Sequence, residues 1–219
     1  MSNKVDKGSC WYDNITTPTE MVKGATGVLW PILEESDHFS VLNRMLRTAS
    51  ESSTSILDLG CGAADVSRVC GTLFYLGVDM PHIIENVARQ VNPFGRYDEF
   101  DAHDSDYGFV SSYDIVLMNA FIDVMEFPRE ILGKVLENSA KHVILHRQLI
   151  SEGSPTSITK SQSYSGWTYR SAINREDFEK ILCNHGFEIL DEYVVRDYSG
   201  IDDTVEKSFL LTKKAEMGG

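Results

Sequence analysis

The sequence predicts an α/β fold: a three-layer α/β/α sandwich around a seven-stranded, mostly parallel sheet with an antiparallel edge hairpin, plus an N-terminal helical lid. Two observations predict it. From residue 54 onward, short apolar segments alternate with amphipathic ones, which is typical of strands covered by helices on both faces. Only a short link, near Gly200–Asp203, separates the last two strand patterns, which favours an antiparallel hairpin.

The first 50 residues differ in character from the rest of the chain. We expect 1–50 to form a helical extension that acts as a lid, and 51–219 to form the main domain. Thr17 and Pro18 match the capping position and first position of a short helix. Ser36 is placed to cap a second helix. The apolar face of that helix is expected at Phe39, Leu42, Met45 and Leu46.

Strands are expected where short apolar segments interrupt the helical pattern. These segments are Ser55–Leu59, Phe74–Val78, Tyr97–Phe100, Asp114–Met118, His142–Leu145, Phe187–Val195 and Ser208–Thr212. Helices are expected at Pro81–Val91 and Arg129–Ala140, and a third between Asn174 and Gly186. Gln148–Ile173 lacks periodicity, so we expect an irregular loop, and one of this length is more often functional than not.

Composition argues against several classes of function. The formal net charge is -13, and the basic residues are scattered, so a nucleic-acid partner is disfavoured. No Cys/His cluster suggests a metal site, and the four cysteines lack C-x-x-C spacing, as in reduced cytosolic proteins. Met1–Lys7 lacks the apolar core of a signal peptide, and no apolar run reaches the roughly 18 residues of a membrane span. We therefore expect a cytoplasmic protein without a membrane segment.

The most informative motif is a glycine turn that follows the first predicted strand. Asp58-Leu59-Gly60-Cys61-Gly62 leads from that strand into a helix, and Asp79 ends the next strand, 21 residues after Asp58. Glycines allow a tight turn and close approach to a ligand, and an acid at this position suits ribose hydroxyls. The third glycine of a dinucleotide fingerprint is missing, which argues against a pyrophosphate ligand.

Further polar groups follow the other strands, at the edge of the sheet where ligands of such folds bind. These groups are Asp101-Ala102-His103, Asn119-Ala120 and His146-Arg147-Gln148. With Ile56–Gly62 and Asp79, this ordered set resembles the motifs of the class I S-adenosylmethionine-dependent methyltransferases, over roughly residues 54–212. The resemblance implies S-adenosylmethionine as cofactor and methyl transfer by in-line displacement as the reaction.

The resemblance also implies a role for each strand end. Gly60, Cys61 and Gly62 would lie against the methionine part of the cofactor, and Asp58 would order this loop and the amino group. Asp79 would accept hydrogen bonds from the ribose hydroxyls, and Met80 would pack on the adenine. Asp101 and the backbone of Ala102 would bind the adenine amino group, while Asn119 and Ala120 would line the site near the reactive methyl.

Ordinary interpretations of these residues stay open. Asp58 and Asp79 fit simple strand-end carboxylates, and Asn119 fits a turn cap. A shift of register would move the role of Asp101 to Asp98, Asp104 or Asp106.

The acceptor side has fewer signals. His146 is the best candidate for a general base, with His103 weaker, although a histidine satisfied beside Arg147 fits equally well. Arg147 is placed to bind a carboxylate or phosphate of the substrate, or to pair with an acidic neighbour. Tyr164, Trp167 and Tyr169 would form the substrate wall or fill a small satellite core.

Three functions remain open from the sequence. The leading hypothesis is a methyltransferase that acts on oxygen, nitrogen or carbon of a small-molecule acceptor, with a homodimer as a further possibility suggested by the aromatic N-terminal arm. The second is a non-catalytic cofactor-binding protein of the same fold, and the third, less favoured, is a nicotinamide-dependent oxidoreductase. The fourth strand ends in Asn119-Ala120-Phe121-Ile122. It lacks the Asn/Asp-Pro-Pro-aromatic signature of enzymes that methylate amino nitrogens of nucleobases or of glutamine, so these substrates are disfavoured.

Overall fold

The structure is a computed structural model that describes residues 9–13, 15–29, 31–103, 106–164, 166–198 and 203–215. Met1–Lys7, Asp104 and the link residues 200–202, all considered above, lie outside the described residues. None of the helices within the described ranges has the length and apolar character needed to cross a membrane.

Six α-helical segments cover the sheet in the described ranges. They are α1 (Thr16–Ala25), α2 (Phe39–Ser50), α3 (Pro81–Ile83), α4 (Arg89–Val91), α5 (Pro128–Asn138) and α6 (Arg175–Asn184), with a π-helical turn at Ile84–Ala88 between α3 and α4. Helix α1 begins one residue before Thr17, and the Asp13 carboxylate accepts hydrogen bonds from the backbone N–H groups of residues 15 to 17. Asp13, rather than Thr17, is therefore the side chain that caps α1.

Nine strands form the sheet within the described residues. They are β1 (Ser55–Leu59), β2 (Phe74–Asp79), β3 (Tyr97–Glu99), β4 (Ile115–Asn119), β5 (His142–Ser151), β6 (Ser157–Ser163), β7 (Gly166–Asn174), β8 (Phe187–Asp197) and β9 (Thr204–Lys213). The seven predicted strands lie in the order β3-β2-β1-β4-β5-β9-β8, with β1 to β5 parallel and β9 antiparallel to both β5 and β8. This confirms the predicted mostly parallel sheet with an antiparallel edge hairpin.

The expectation of an irregular loop at Gln148–Ile173 is wrong. β5 continues to Ser151, and β6 and β7 form an antiparallel hairpin from the pair Ser157–Ala172 to the pair Ser163–Gly166. β7 also joins β5 through Ile150 and Ile173. Strand β6 is polar and mostly exposed, so it lacks the apolar alternation that identifies a strand from sequence.

Helix α2 belongs to the core of the sandwich. Its Leu42 and Met45 are fully buried in one cluster with Ile56 of β1, Ile144 of β5 and Leu210 of β9. Burial of a Leu or Met side chain contributes about 1.5–3 kcal/mol to folding. The boundary expected at residue 50 therefore does not coincide with a break in packing.

Candidate active site

A cavity of about 250 Å³ opens at the carboxyl ends of β1, β2, β4 and β5. Nine of the site residues predicted from the sequence line it: Gly60, Cys61, Gly62, Asp79, Met80, Asn119, Ala120, Arg147 and Tyr164. Its charged lining residues are Asp65, Asp79 and Arg147, so among the described residues acids outnumber bases. The cavity thus suits a ligand that carries positive charge.

The glycine turn closes tightly over the end of β2. Gly60 and Gly62 have φ values of 72° and 52°, which glycine adopts without strain. The N–H groups of Gly60 and Cys61 both donate to the carbonyl of Val78, at 2.9 and 3.1 Å. A Cβ added at Gly60 would lie 2.2 Å from the Phe121 ring, so this position has no room for a side chain.

The carboxylate of Asp79 fastens the turn to the cavity. One oxygen accepts the N–H of Gly62 at 2.8 Å, and the other accepts the N–H of Met80 at 2.7 Å. Burial raises the pKa of Asp79 to about 6, against the lowering effect of these two hydrogen bonds. A carboxylate offers about four lone-pair sites, so both oxygens can accept further hydrogen bonds from a ligand.

Asp58 lies beneath the turn and does not line the cavity. It is 1% exposed and accepts a hydrogen bond from the Tyr75 hydroxyl at 2.8 Å. Burial raises its pKa to about 7. The expected contact with the cofactor amino group is not supported by this placement, because the strand directs the side chain into the core; the expected role in ordering the loop remains a proposal.

Asp101 and Ala102 are set apart from the main cavity. Asp101 lines a smaller recess with Tyr12 and His103, and the recess shares Met80 with the main cavity. The Asp101 carboxylate accepts the backbone N–H of His103 at 3.0 Å. Ala102 is buried and lines neither space. Asp101 thus lines a space next to Met80, whereas the expected contact of Ala102 with the cofactor is not supported by its placement.

Strained backbone concentrates at the other side of the cavity. Ala120, Arg147 and Tyr164 have φ values of 48°, 62° and 49°, and all three line the cavity. Non-glycine residues pay about 1–3 kcal/mol for such conformations, which cluster at functional sites. Beside them, Oδ1 of Asn119 is buried and has no hydrogen-bond partner among the described residues. This group is available to a ligand.

His146 is buried away from the cavity, so its placement does not support the expected role of general base. Its Nε2 lies 2.9 Å from Nδ1 of His38, and its Nδ1 lies 2.8 Å from Oγ of Ser208. Nη1 of Arg147 lies 3.1 Å from Nε2 of His38. Burial holds the pKa of His146 well below its usual value, and that of His38 at about 4.

The order of donors in this chain follows from the guanidinium, which can only donate. Arg147 donates to His38, so His38 donates to His146, and His146 donates to Ser208. The result is a hydrogen-bonded network of two neutral histidines and a serine that positions the Arg147 guanidinium. Nε of Arg147 also lies 3.6 Å from Oε1 of Glu206.

The aromatic residues of the hairpin separate into two groups. Tyr164 lines the cavity and stacks edge-on against Trp11 of the N-terminal arm, with ring centroids 5.6 Å apart. Trp167 and Tyr169 stack on each other, and neither lines the main cavity. Of the three, Tyr164 alone lines the main cavity, while Tyr169 lines the recess that contains Asp101.

Sequence reasoning missed several lining residues because they come from segments without a motif. Trp11 and Met21 reach the cavity from the N-terminal segment, and Phe121 and Val124 from the turn after β4. The Trp11 indole donates to the Thr168 hydroxyl of β7, so the aromatic arm packs on its own chain. The sequence offers one indication of this role: aromatic residues such as Trp11 precede the first predicted strand and belong to no predicted strand.

No protein-family model and no curated protein matches the sequence. Solved structures match the fold. Magnesium protoporphyrin IX methyltransferase (ChlM) from Synechocystis PCC 6803 is 14% identical, with a TM-score of 0.61 over 93% of this chain and 97% of that one. An S-adenosylmethionine-dependent methyltransferase from Clostridium acetobutylicum is 12% identical, with a TM-score of 0.60 over 90% and 99%.

A third similar structure is an amino pentose methyltransferase from Micromonospora echinaspora, involved in calicheamicin biosynthesis. It is 14% identical, with a TM-score of 0.57 over 82% of this chain and 92% of that one. At these identities the likeness concerns the fold. The chain has the Rossmann-like α/β fold of the class I S-adenosylmethionine-dependent methyltransferases.

Proposed function

We propose that the protein is an S-adenosylmethionine-dependent methyltransferase that acts on a small-molecule acceptor. The observation that carries this proposal is the Asp79 carboxylate, which lines the cavity while both its oxygens fix the glycine turn. Such an arrangement presents a preorganised acid at the second strand end, where ribose hydroxyls bind in this fold.

The residues present fit the cofactor. The turn, with glycines at positions 60 and 62, would lie against the methionine part, Asp79 would face the ribose, and Met80 and Asp101 would lie toward the adenine. Asn119, with its unpartnered Oδ1, and Ala120 would lie near the transferred group. When bound, the cofactor supplies a methyl group on a positively charged sulfur, and the excess of acids suits that charge.

The remaining cavity walls suit a lid over the acceptor. Residues 9–13 and 15–25 form an N-terminal arm that contacts β7 through Trp11, and the hairpin brings Tyr164 to the same side. We propose that this arm, rather than all of residues 1–50, closes the site. Methyl transfer needs alignment and exclusion of water more than acid–base chemistry, so such a lid fits the reaction. Similar structures include enzymes named for an amino pentose and for magnesium protoporphyrin IX, both small molecules.

The other two functions are less well supported. A nicotinamide-dependent oxidoreductase would bind a pyrophosphate, and the cavity has a single cation, Arg147, among its described lining residues. A non-catalytic binding protein would keep the same cofactor contacts without turnover, and no feature of the described residues favours it over an enzyme.

Calorimetric titration with S-adenosylmethionine, its demethylated product S-adenosylhomocysteine and NAD tests the proposal. We expect micromolar or tighter binding of the first two and no heat from NAD. Asp79→Ala should lose at least about tenfold in affinity, since charge-assisted hydrogen bonds contribute about 1.5–3 kcal/mol. Tight NAD binding without a response to the other two would overturn the proposal. Release of S-adenosylhomocysteine with a panel of acceptors separates the enzyme from a binding protein.

A further inference from the structure

A second cavity, of about 470 Å³, lies beside the hairpin β6–β7. This open cavity is lined by the hairpin, by β5, β8 and β9, and by the turn after β4, and Val124 lines both this cavity and the cofactor cavity. Ten of its twelve lining residues are polar, and hydroxyl, amide, guanidinium and carboxylate groups are all present. We call this space the polar cavity. Its chemistry suits a ligand with many hydrogen-bonding groups.

Two carboxylates line the polar cavity, and they differ in their partners. Glu206 lies 3.6 Å from Nε of Arg147 and 3.7 Å from Nη1 of Arg196, so its charge is compensated. Oδ1 of Asp123 is buried and has no hydrogen-bond partner among the described residues. A buried unpartnered polar atom destabilises the folded state, so a ligand that donates to it is a natural partner.

The position of Asp123 is fixed by the strand beside it. Asp123 lies in the 3-10 turn Ile122–Val124, between Phe121 and Val124, which both line the cofactor cavity. The hydroxyl of Ser171 in β7 donates to the carbonyl of Met125 at 2.6 Å, and the hydroxyl of Thr168 donates to that of Val124 at 3.4 Å. This turn therefore presents Asp123 between the cofactor cavity and the hairpin.

We propose that the polar cavity binds the methyl acceptor, a single-ring polyhydroxylated molecule, and that the Asp123 carboxylate accepts the proton of the hydroxyl that becomes methylated. This rests on the proposed methyltransferase function. As the O–H bond breaks, its proton passes to Asp123 and its electron pair stays on oxygen, which forms the new O–C bond. The bound cofactor would supply the methyl group, and its S–C bond would break with the electron pair on sulfur, so that charge and atoms balance.

The electrostatic surroundings allow this step near neutral pH. Burial raises the pKa of Asp123 to about 7, and Glu206 from β9 adds to the rise. Arg147 from β5 and Arg170 from β7 act in the opposite direction. A base whose pKa lies near the working pH is the most effective proton acceptor.

A binding experiment tests the acceptor class without a known substrate. The probe is methyl β-D-xylopyranoside, and its control is 2-methoxytetrahydropyran, the same ring without the three hydroxyls. Each is added to protein saturated with S-adenosylhomocysteine, with the ¹³C-methyl resonances of Val124 and Leu149 as the readout. We expect the glycoside to shift both resonances and the control ring to shift neither. Equal shifts from both rings, or none from the glycoside, would overturn the assignment.

A matched pair of variants tests whether Asp123 binds the glycoside. Asp123→Asn should weaken glycoside binding about tenfold, because a charge-assisted hydrogen bond is about twice as strong as a neutral one. Glu137→Gln, which changes an exposed carboxylate of α5, should leave it unchanged. Both variants should keep the wild-type affinity for S-adenosylhomocysteine, which shows that they fold. Unchanged glycoside affinity in Asp123→Asn contradicts the proposal.

Turnover tests the proton transfer. With the glycoside as acceptor, release of S-adenosylhomocysteine should rise with pH through about 7 and fall about 10²–10⁴-fold in Asp123→Asn, with the pH dependence removed. A bound glycoside that gives no product at any pH, or an unchanged pH profile in the variant, overturns the role of Asp123. If S-adenosylhomocysteine itself fails to bind, the proposed function is wrong. In that case, titration of the free protein with the glycoside still shows whether the polar cavity binds a polyhydroxylated ring.

Discussion

Asp79 combines two tasks at the scale of one residue. Its oxygens fix the backbone of Gly62 and Met80, and the same carboxylate faces the cavity. Because burial raises its pKa to about 6, the free protein holds it partly protonated at mildly acidic pH. A ligand whose hydroxyls donate to the carboxylate selects the ionised form.

This selection makes cofactor affinity depend on pH. Affinity for S-adenosylhomocysteine should rise about tenfold between pH 5 and pH 7 and then level off, because ionisation of Asp79 must precede binding below pH 6. Calorimetry at four pH values measures this. Asp79→Asn should bind weakly with a flat profile; a variant that keeps the wild-type slope would show that another group titrates.

Burial of Asp58 makes the stability of the folded protein depend on pH. Its folded pKa, about 7, lies above the unfolded value of 3.8, so the folded protein binds more protons between these values and stability falls as pH rises through that window. Asp58→Asn removes the charge and keeps an acceptor for Tyr75. It should stabilise the free protein at pH 8 by up to about 4 kcal/mol, since one pKa unit corresponds to about 1.36 kcal/mol.

Thermal unfolding at pH 8 and pH 4 measures this effect. The gain in melting temperature of Asp58→Asn over wild type should be large at pH 8 and nearly absent at pH 4. A variant that is less stable than wild type at pH 8 would show that the folded protein uses the ionised Asp58.

At the scale of an element, the turn between β1 and the following helical segment depends on its first glycine. Gly60→Ala combines a positive φ with a Cβ 2.2 Å from Phe121, whereas Gly71→Ala has a similar φ of 64° and nothing within 4 Å. Gly71→Ala should therefore lower the free energy of unfolding by about 1 kcal/mol and leave cofactor binding intact. Gly60→Ala should destabilise by more, about 2–4 kcal/mol, because the ring must move as well.

Denaturant unfolding and calorimetry on the two variants separate the causes. Loss of S-adenosylhomocysteine binding in Gly60→Ala, with normal binding in Gly71→Ala, is the expected result. Equal losses in both would mean that backbone strain alone, and not the shape of the turn, sets affinity.

At the scale of the whole molecule, the N-terminal arm closes one side of the cavity. Trp11 lines the cavity and donates its indole N–H to Thr168, while Trp167 stacks on Tyr169 outside it. Trp11→Ala should raise the dissociation rate of S-adenosylhomocysteine about tenfold or more, since aromatic side chains contribute a large part of the energy of such contacts. Trp167→Ala is the matched control and should leave it unchanged. Stopped-flow fluorescence measures both rates; equal rates in Trp11→Ala and wild type would contradict a closing role.

Sequence and structure agree where the pattern is local. The buried strands β1, β4 and β5 are visible as apolar runs, and the glycine turn and Asp79 follow from their positions at strand ends. Contacts between distant residues leave no such pattern. His38 and His146 are 108 positions apart, so sequence alone could not show that His146 is satisfied by His38 rather than free to act as a base. The polar strand β6 was not predicted for a related reason: it forms because it pairs with β7, and its own sequence has no apolar periodicity.

The most direct test of the central claim is a crystal structure of the protein with S-adenosylhomocysteine. We predict the ligand in the cavity at the carboxyl ends of β1, β2 and β4, with its two ribose hydroxyls within about 3 Å of the Asp79 carboxylate. A ligand bound elsewhere, or bound in the cavity with its ribose away from Asp79, would contradict the proposed cofactor site.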